Sequence, residues 1–310
     1  MSSFECKPAP WLPFIDRKEL ERVRAIKRED ITKHWNPDFR IKIVPDPRAT
    51  FIADVFTRIK MSDDLDQRLV MIFPNPWSKA YETIGELINR FGVDCRNVHI
   101  FAMDEWANED GKVAPLSYPP SLGNAFKKYF YGSIDPEFRM PENQVYYFTN
   151  ENVSCYSDII DDVGNGGADV CYAGCGWPCH IAFIDPDTEE FKACSLEEYK
   201  KLGSRIVTSH PLTVAENSLF SIFGSSGDCT AVPYRAATIG PRDIQHARLR
   251  FDMHSFTDLD GVTSWQRMSS RLAMHGPVSM QIPMSLNQEL RSDVFVSEGV
   301  ADNITFNDYM

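Results

Sequence analysis

Patterns typical of β-strands and of amphipathic helices alternate along most of this chain of 310 residues. Ile41 to Val44 is typical of a short strand, and the next segment places Ile52, Val55, Phe56 and Ile59 on one face of a helix. Strands that alternate with helices of roughly 10 to 15 residues are joined as parallel β-α-β units. The alternation therefore predicts an α/β fold with a doubly wound, mostly parallel sheet flanked by helices.

The same alternation runs through the rest of the chain. Apolar spacing predicts a helix that begins near Ser78 and stops at Gly92, and a later helix around Met268. Proline-rich and charged segments come first, so we predict an N-terminal extension over residues 1–38 and a single α/β domain over residues 39–310. The further predicted strands are Leu69 to Phe73, Val98 to Met103, Asp169 to Ala173, Leu249 to Met253, Val278 to Ile282 and Val294 to Val296.

The charge balance restricts the class of partner. The chain has 32 basic and 44 acidic residues and a net charge of -12, which repels nucleic acid and anionic membrane surfaces. The N-terminal segment lacks the apolar run of a signal peptide, and no later run approaches the roughly 20 apolar residues of a membrane span. We therefore expect a cytoplasmic protein whose eight cysteines are reduced thiols and whose partner is a small molecule.

Two acidic residues follow one of the predicted strands directly. Asp104 and Glu105 leave the apolar segment VHIFAM at its carboxyl end, where active sites of parallel sheets lie. Adjacent carboxylates can have unlike environments, so one can act as a general base while the other holds a neighbouring group. The alternative is a loop carboxylate that caps the next segment.

A glycine-cysteine-histidine loop follows another predicted strand. In VCYAGCGWPCHIAFIDPD, Gly174 and Gly176 allow a ligand to approach the backbone, and His180 and Asp185 come within ten residues of them. A histidine paired with a carboxylate can relay protons, for example to open a sugar ring. The alternative is a buried, hydrogen-bonded histidine in an apolar run.

Three cysteines beside this histidine also raise a metal site as a hypothesis. Cys171, Cys175 and Cys179 could bind zinc together with His180. Their spacing argues against it, because zinc ligands usually come as two separated pairs and Cys171 lies within a predicted strand. We therefore predict buried structural thiols and no metal.

These motifs resemble those of the glucosamine-6-phosphate deaminase family. MDEW, Ser121 in YPPSLGNAF, and GCGWPCHIAFIDP are similar to the family's MDEY and GxGxDGHIAFNEP segments, and AATIGPRDI and GPVSMQIPMSLNQ continue the match from about residue 41 to about residue 300. The 6-phosphogluconolactonases share that fold, but their histidine loop resembles GHTASLFP. The resemblance implies a Rossmann-like sheet, a carbohydrate substrate, no cofactor and a homo-oligomer.

The resemblance also implies roles for four residues. Asp104 matches the base that transfers a proton between C1 and C2 of the sugar, and Glu105 matches the second acid of the same motif. His180 matches the ring-opening histidine. Asp185 replaces the glutamate that supports this histidine.

The chain departs from the family pattern at several positions. Pro178 replaces the aspartate two residues before the histidine, and NPWSK replaces the glycine-rich phosphate loop TGGTP. Pro76 has no N–H group to donate to an anion. The phosphate-binding arginine aligns with Leu219, and no lysine stands in HSFTD where the family has one. These changes leave open whether the sugar is phosphorylated.

Other residues are candidates to bind such a ligand. Lys79, Arg242 or Arg235 could replace the missing cations, or be ordinary surface charges. Trp77 and Trp106 could stack on a sugar, or belong to the core. The predicted substrate-binding set is Asn75, Trp77, Ser78, Lys79, Trp106, Gly174, Gly176 and Arg242.

Three functions fit these observations. The first is an aldose-ketose isomerase or deaminase that acts on a sugar or sugar phosphate. The second is lactone hydrolysis on the same scaffold, in which His180 would activate water. The third is a non-catalytic carbohydrate sensor, which the altered phosphate loop and the proline at position 178 favour.

Overall fold

A computed structural model describes residues 7–74, 77–255 and 264–306 of the chain. Its main sheet has seven strands, and all neighbouring strands run parallel. In order across the sheet they are β1 (Phe39–Val44), β10 (Ser292–Ser297), β9 (Leu249–His254), β6 (Val170–Gly174), β2 (Leu69–Phe73), β3 (Val98–Ala102) and β5 (Val145–Tyr146). The prediction of a mostly parallel α/β sheet is confirmed.

A smaller antiparallel sheet lies beyond the main one. It consists of β4 (Asp104–Ala107), β8 (Arg235–Thr238) and β7 (Arg205–Thr208), in that order. Only Met103 separates β4 from β3, so the chain passes directly from the large sheet to the small one. This transition places Asp104 at the carboxyl end of the parallel strands.

Helices pack on both faces of the main sheet. The helices of the described residues are α1 (Arg17–Arg24), α2 (Pro47–Asp64), α3 (Ser78–Phe91), α4 (Leu122–Tyr129), α5 (Tyr156–Gly164), α6 (Leu196–Tyr199), α7 (Pro211–Asn217), α8 (Pro241–His246), α9 (Gln266–His275) and α10 (Glu298–Ala301). None of the described helices has both the length and the apolar character needed to cross a bilayer.

The central strand β2 shows why both faces are covered. All of its residues are buried. Met71 and Phe73 belong to one apolar cluster, with the inner sides of α2 and α3, whereas Val70 and Ile72 belong to another, with residues of α5. Side chains alternate between the two faces of a strand, so an uninterrupted apolar strand needs a partner layer on each side.

Local signals set the ends of the helices on one face. Asp46 accepts a hydrogen bond from the amide of Arg48 at 2.9 Å, and Pro47 occupies the first turn of α2. α3 ends at Gly92, which adopts a left-handed conformation with φ of 61°. The predicted stop of this helix is confirmed.

The N-terminal segment packs against the domain. Val23 of α1 is fully buried, and the guanidinium of Arg271 on α9 donates to the carbonyl of Ile26 at 3.1 Å. Apolar and polar contacts together therefore attach this segment to the surface beside α9.

One predicted strand is wrong. Residues from Val278 to Ile282 form a tight turn, in which the amide of Ile282 donates to the carbonyl of Ser279 at 3.0 Å. Pro283 begins a 3-10 helical turn directly afterwards. The apolar residues of this segment are buried by the turn, and a proline at its boundary prevents extension into a strand.

Phe73 tests how much the core on the α2 and α3 side contributes to stability. It is 1% exposed and contacts the rings of Phe51, Tyr81 and Phe126, so Phe73→Ala should lower the free energy of unfolding by about 3–5 kcal/mol. Phe91→Ala removes the same ring from an exposed site and should cost less than about 1 kcal/mol. Urea denaturation measures both, and equal losses would contradict this description of the core.

Candidate active site

A cavity of about 550 Å³ opens at the carboxyl ends of the parallel strands. Pro74 after β2, Gly174 of β6 and Met253 of β9 contribute to its lining. Asp104 and His180 also line it, so two segments far apart in the sequence supply titratable groups to one space. This position agrees with the general location of ligand sites in parallel sheets.

His180 is held by a buried carboxylate. Its Nδ1 lies 2.5 Å from Oδ1 of Asp185, and both residues are buried. Asp185 is itself held, because the hydroxyl of Thr213 donates to Oδ1 at 2.7 Å and the amide of His210 donates to Oδ2 at 2.7 Å. The carboxylate therefore fixes the orientation of the imidazole ring and leaves Nε2 as its reactive nitrogen.

The backbone of the histidine loop is shaped around this ring. A Cβ atom on Gly176 would lie 1.9 Å from Nε2 of His180, so only glycine fits at this position. Cys179 and Ala182 on either side of the histidine have φ values of 62° and 53°. These left-handed conformations are unusual for residues with a side chain, and they turn His180 towards the cavity.

Asp104 lies in the same cavity with an altered acidity. Burial, together with the nearby charge of Glu105, raises the pKa of Asp104 to about 8, although His180 acts in the opposite direction. A carboxyl group with such a pKa is a stronger base, once ionised, than an ordinary aspartate. It titrates within the range in which a general base is effective.

Glu105 has a different environment from its neighbour. Its carboxylate accepts hydrogen bonds from the Ser121 hydroxyl at 2.6 Å, and from the amides of Trp106, Leu122 and Gly123 at 2.8, 3.1 and 2.9 Å. The last two amides belong to the first turn of α4, where a negative charge is stabilised. Glu105 thus fastens α4 to the strand that carries Asp104.

A fourth acid, Glu216, was not predicted from the sequence. It lies on α7 and lines the cavity, with Oε2 3.9 Å from Nε2 of His180. The amide of Trp177 donates to the same oxygen at 2.8 Å, and burial raises the pKa of Glu216 to about 7 despite the opposing charge of His180. The signal in the sequence was an acidic residue next to Asn217 in the segment AENSLF. Only the fold brings this residue close to His180.

The charges around His180 make it a stronger base than an ordinary histidine. Desolvation lowers its pKa, but the charge and hydrogen bond of Asp185, with smaller contributions from Glu216 and Asp104, raise it to about 9. The imidazole is therefore protonated at neutral pH. In this form Nε2 is a proton donor directed into the cavity.

The predicted ligand-binding residues divide into two groups. Trp77, Ser78, Gly174 and Gly176 line the cavity. Asn75 lies outside the described residues. Trp106 is placed in the core, which corrects its predicted role: it is 1% exposed and packs against the rings of Phe183 and Phe223.

The predicted cations are not directed into the cavity. Arg242 pairs with Asp158 and Asp161 of α5 at 2.5 and 2.9 Å, so its predicted role in binding is also corrected. The side chain of Lys79 is 84% exposed and lies 3.6 Å from Glu82. Arg235 donates to the carbonyl of Glu109. Among described lining residues, Lys128 is the only lysine or arginine.

The cysteines of the histidine loop are part of the packing. Cys171, Cys175 and Cys179 are buried, and the first lies within β6. Cys179 donates to the carbonyl of Ser269 at 3.5 Å. Across the parts of the chain that the structure describes, no group of three or more histidine, cysteine or acidic side chains is arranged to hold a metal.

Comparison with solved structures identifies the fold. A monomeric glucosamine-6-phosphate deaminase matches with a TM-score of 0.66 and 17% identity, over 84% of this chain and 98% of that one. This chain therefore shares its fold with that deaminase. The 6-phosphogluconolactonase from Trypanosoma cruzi also matches this chain, with a TM-score of 0.59 and 13% identity, over 88% of this chain and 99% of that one.

The 6-phosphogluconolactonase from Thermotoga maritima also has this deaminase-type fold, with a TM-score of 0.55 and 14% identity over 83% of this chain and 99% of that one. Neither a family model nor a curated protein matches the sequence. The resemblance seen in the sequence motifs is thus confirmed for the fold of the chain.

The raised pKa of Asp104 predicts that Asp104→Asn stabilises the protein. Between about pH 4 and pH 8 the unfolded chain loses the proton of Asp104 while the folded protein keeps it, so this residue lowers stability as the pH rises. The variant should gain on the order of a few kcal/mol at pH 8 and nothing near pH 4. Denaturant unfolding across this range measures the difference.

Asp110→Asn is the matched control, because Asp110 is an exposed carboxylate in the turn that follows the same strand. Its unfolding free energy should stay within about 0.5 kcal/mol of the wild type at every pH. A gain for Asp104→Asn that did not depend on pH would contradict the assignment.

Proposed function

We propose that this protein is an aldose-ketose isomerase or deaminase that transfers a proton between C1 and C2 of a carbohydrate. The observation that carries the proposal is that Asp104 and His180, a base and a proton donor, line the same cavity. The fold neighbours support a role in carbohydrate metabolism, since their names are those of a sugar-phosphate deaminase and of sugar-phosphate lactonases.

His180 performs the first step of the proposed reaction. As an imidazolium it donates the Nε2 proton to the ring oxygen of the sugar while the bond between that oxygen and C1 breaks. The C1 hydroxyl loses its proton to water as its oxygen becomes the aldehyde oxygen, and His180 regains a proton from solvent. Asp185 holds the opposite side of the ring and stabilises the positive charge before transfer. The open-chain aldehyde then exposes the acidic hydrogen on C2.

Asp104 performs the second step. Its ionised carboxylate takes the proton from C2, which gives an enediol, or an enolamine when C2 carries an amino group. The protonated carboxyl then returns the proton to C1, while a proton moves between the two substituent heteroatoms. The aldose becomes a ketose, or an imine that water hydrolyses with release of ammonia, and Asp104 is regenerated.

Glu216 has a positioning and electrostatic role in this proposal. It is 3.9 Å from Nε2 of His180, on the side where a sugar would be bound. Its charge favours the imidazolium form. Glu216 thereby provides, from α7, a carboxylate near His180. The histidine loop itself carries Pro178, which has no carboxylate.

Lactone hydrolysis is the competing reaction on this fold. It would require His180 to remove a proton from water, which demands the neutral imidazole. The surrounding carboxylates raise the pKa of His180 to about 9 and favour the protonated ring. This electrostatic arrangement supports the isomerase or deaminase reaction over hydrolysis and over a site without chemistry.

Cytoplasmic location and self-association remain predictions. The deaminase with the similar fold is described as monomeric, so the fold alone does not favour a homo-oligomer.

Asp104→Asn should abolish proton transfer at C2. The loss of a general base typically lowers a rate by about 100-fold to 10,000-fold. We would incubate the protein in D₂O with a panel of hexoses, hexosamines and their phosphates, and follow the C2 proton by NMR. Asp110→Asn should exchange like the wild type, and a residual rate above about a tenth of wild type in Asp104→Asn would refute the mechanism.

The pH dependence of the rate provides a second test. Activity needs ionised Asp104 and protonated His180, so it should rise as the pH passes about 8 and fall as it passes about 9. Glu216→Gln removes a charge that raises the pKa of His180, so the alkaline limb should move to lower pH. An unchanged alkaline limb in this variant would exclude the electrostatic role of Glu216.

A further inference from the structure

The charges of the cavity differ from those expected for a site that binds a phosphate ester. We propose that the cavity binds a carbohydrate without a phosphate group, one that is neutral or carries an ammonium group. This inference rests on the proposed function only in taking the cavity as the carbohydrate site. It names the class of ligand, which the sequence left open.

The first observation is the scarcity of cations around the cavity. No lysine or arginine occurs in residues 1–6, 75–76, 256–263 or 307–310, so every lysine and arginine belongs to the described residues. Of these, only Lys128 contributes to the lining. It is exposed, and its Nζ lies 4.8 Å from the centre of the Tyr129 ring.

The cations near the cavity are already paired with acids. The guanidinium of Arg48 lies 6.0 Å from the centre of the Trp77 ring, and its Nε is 3.9 Å from Asp46. Lys79 follows the lining residue Ser78 in the chain, but its side chain extends into solvent beside Glu82. Neither Arg48 nor Lys79 lines the cavity.

The second observation is the presence of two buried acidic residues in the lining of the cavity. Asp104 and Glu216 both line it, and both are almost completely buried. A phosphate dianion in the same space would be repelled by either group in its ionised form, which the proposed reaction requires of Asp104, and burial makes this repulsion stronger than in water. The buried positive charge of the lining, on His180, already interacts with Asp185 and Glu216.

The third observation concerns the positions at which the family pattern has phosphate-binding cations. Leu219 is apolar and 48% exposed. His254 begins the HSFTD segment, but it is buried and its Nδ1 lies 2.8 Å from the hydroxyl of Ser270. Desolvation lowers the pKa of His254 to about 3, so this ring is neutral and cannot replace the missing lysine.

The remaining lining suits a sugar body. Trp77, Phe183, Phe220, Ile222 and Met253 provide apolar surface of the kind that packs against the C–H faces of a sugar ring. An ammonium group would be attracted by Asp104 or Glu216 in its ionised form, and a hydroxyl group of the sugar could donate a hydrogen bond to either carboxylate.

Two matched pairs of ligands test this inference. Calorimetric titration of the full-length protein with glucosamine and glucosamine 6-phosphate, and with glucose and glucose 6-phosphate, measures the effect of the phosphate alone. We expect each unphosphorylated sugar to bind at least tenfold more tightly than its 6-phosphate. Equal or tighter binding of the phosphate esters would overturn the inference, as would failure of both unphosphorylated sugars to bind.

Parallel measurement of C2 exchange separates this inference from the proposed reaction. Binding of glucosamine or glucose without exchange would support the ligand class and reject the proton transfer. Exchange with the phosphate esters alone would support the proton transfer and reject the proposed ligand class.

Two variants test whether a phosphate contact was overlooked. Lys128→Met removes the lysine at the cavity, and Lys127→Met removes its neighbour, which pairs with Glu142 at 2.8 Å outside it. Both variants should bind the 6-phosphates within twofold of the wild type. A loss of tenfold or more in Lys128→Met alone would identify a phosphate site and contradict the inference.

Discussion

The buried contact between His180 and Asp185 is the interaction on which the site depends. Charges are stable in a protein interior only when they are paired and hydrogen-bonded. Asp185 meets this condition through Thr213 and the amide of His210, both at the start of α7. The same helix carries Glu216, so the segment that stabilises the carboxylate also supplies the second acid near the imidazole. The conformation of the histidine loop and the position of α7 are thereby coupled.

The histidine loop carries Pro178, and its histidine has a carboxylate from α7 as a neighbour. A carboxylate on α7 reaches the opposite nitrogen of His180, and its Oε2 also accepts the amide proton of Trp177 in the altered loop. The electrostatic environment of a proton donor can therefore be retained when the residue that supplies it changes. Glu216 also adds an acidic group to the lining of the cavity.

Asp104 and Glu105 show that neighbouring carboxyl groups can have opposite roles. Glu105 has four hydrogen-bond donors, and its charge is used to anchor α4. Asp104 is equally buried, and desolvation raises the pKa of both carboxyl groups, but at Glu105 the four hydrogen bonds oppose this rise. The difference arises because successive side chains of β4 point to opposite sides of the strand, one towards α4 and one towards the cavity. Burial of Asp104 lowers stability, and the hydrogen bonds of its neighbour supply part of the stability that offsets this loss.

The sequence by itself determined the parallel sheet, because alternating apolar periods leave few other ways to bury both faces of strands such as Leu69–Phe73. It also indicated Asp104, His180 and Asp185, since each follows a strand whose carboxyl end must lie at the same edge of the sheet. Only the tertiary structure decided which neighbours they have. Glu216 lies 36 residues after His180 in the chain, Trp106 is buried by rings from two distant segments, and Arg242 is held by acids of another helix. Contacts between segments that are distant in the sequence determine which side chains are buried and which charges are paired. Local sequence patterns do not show these contacts.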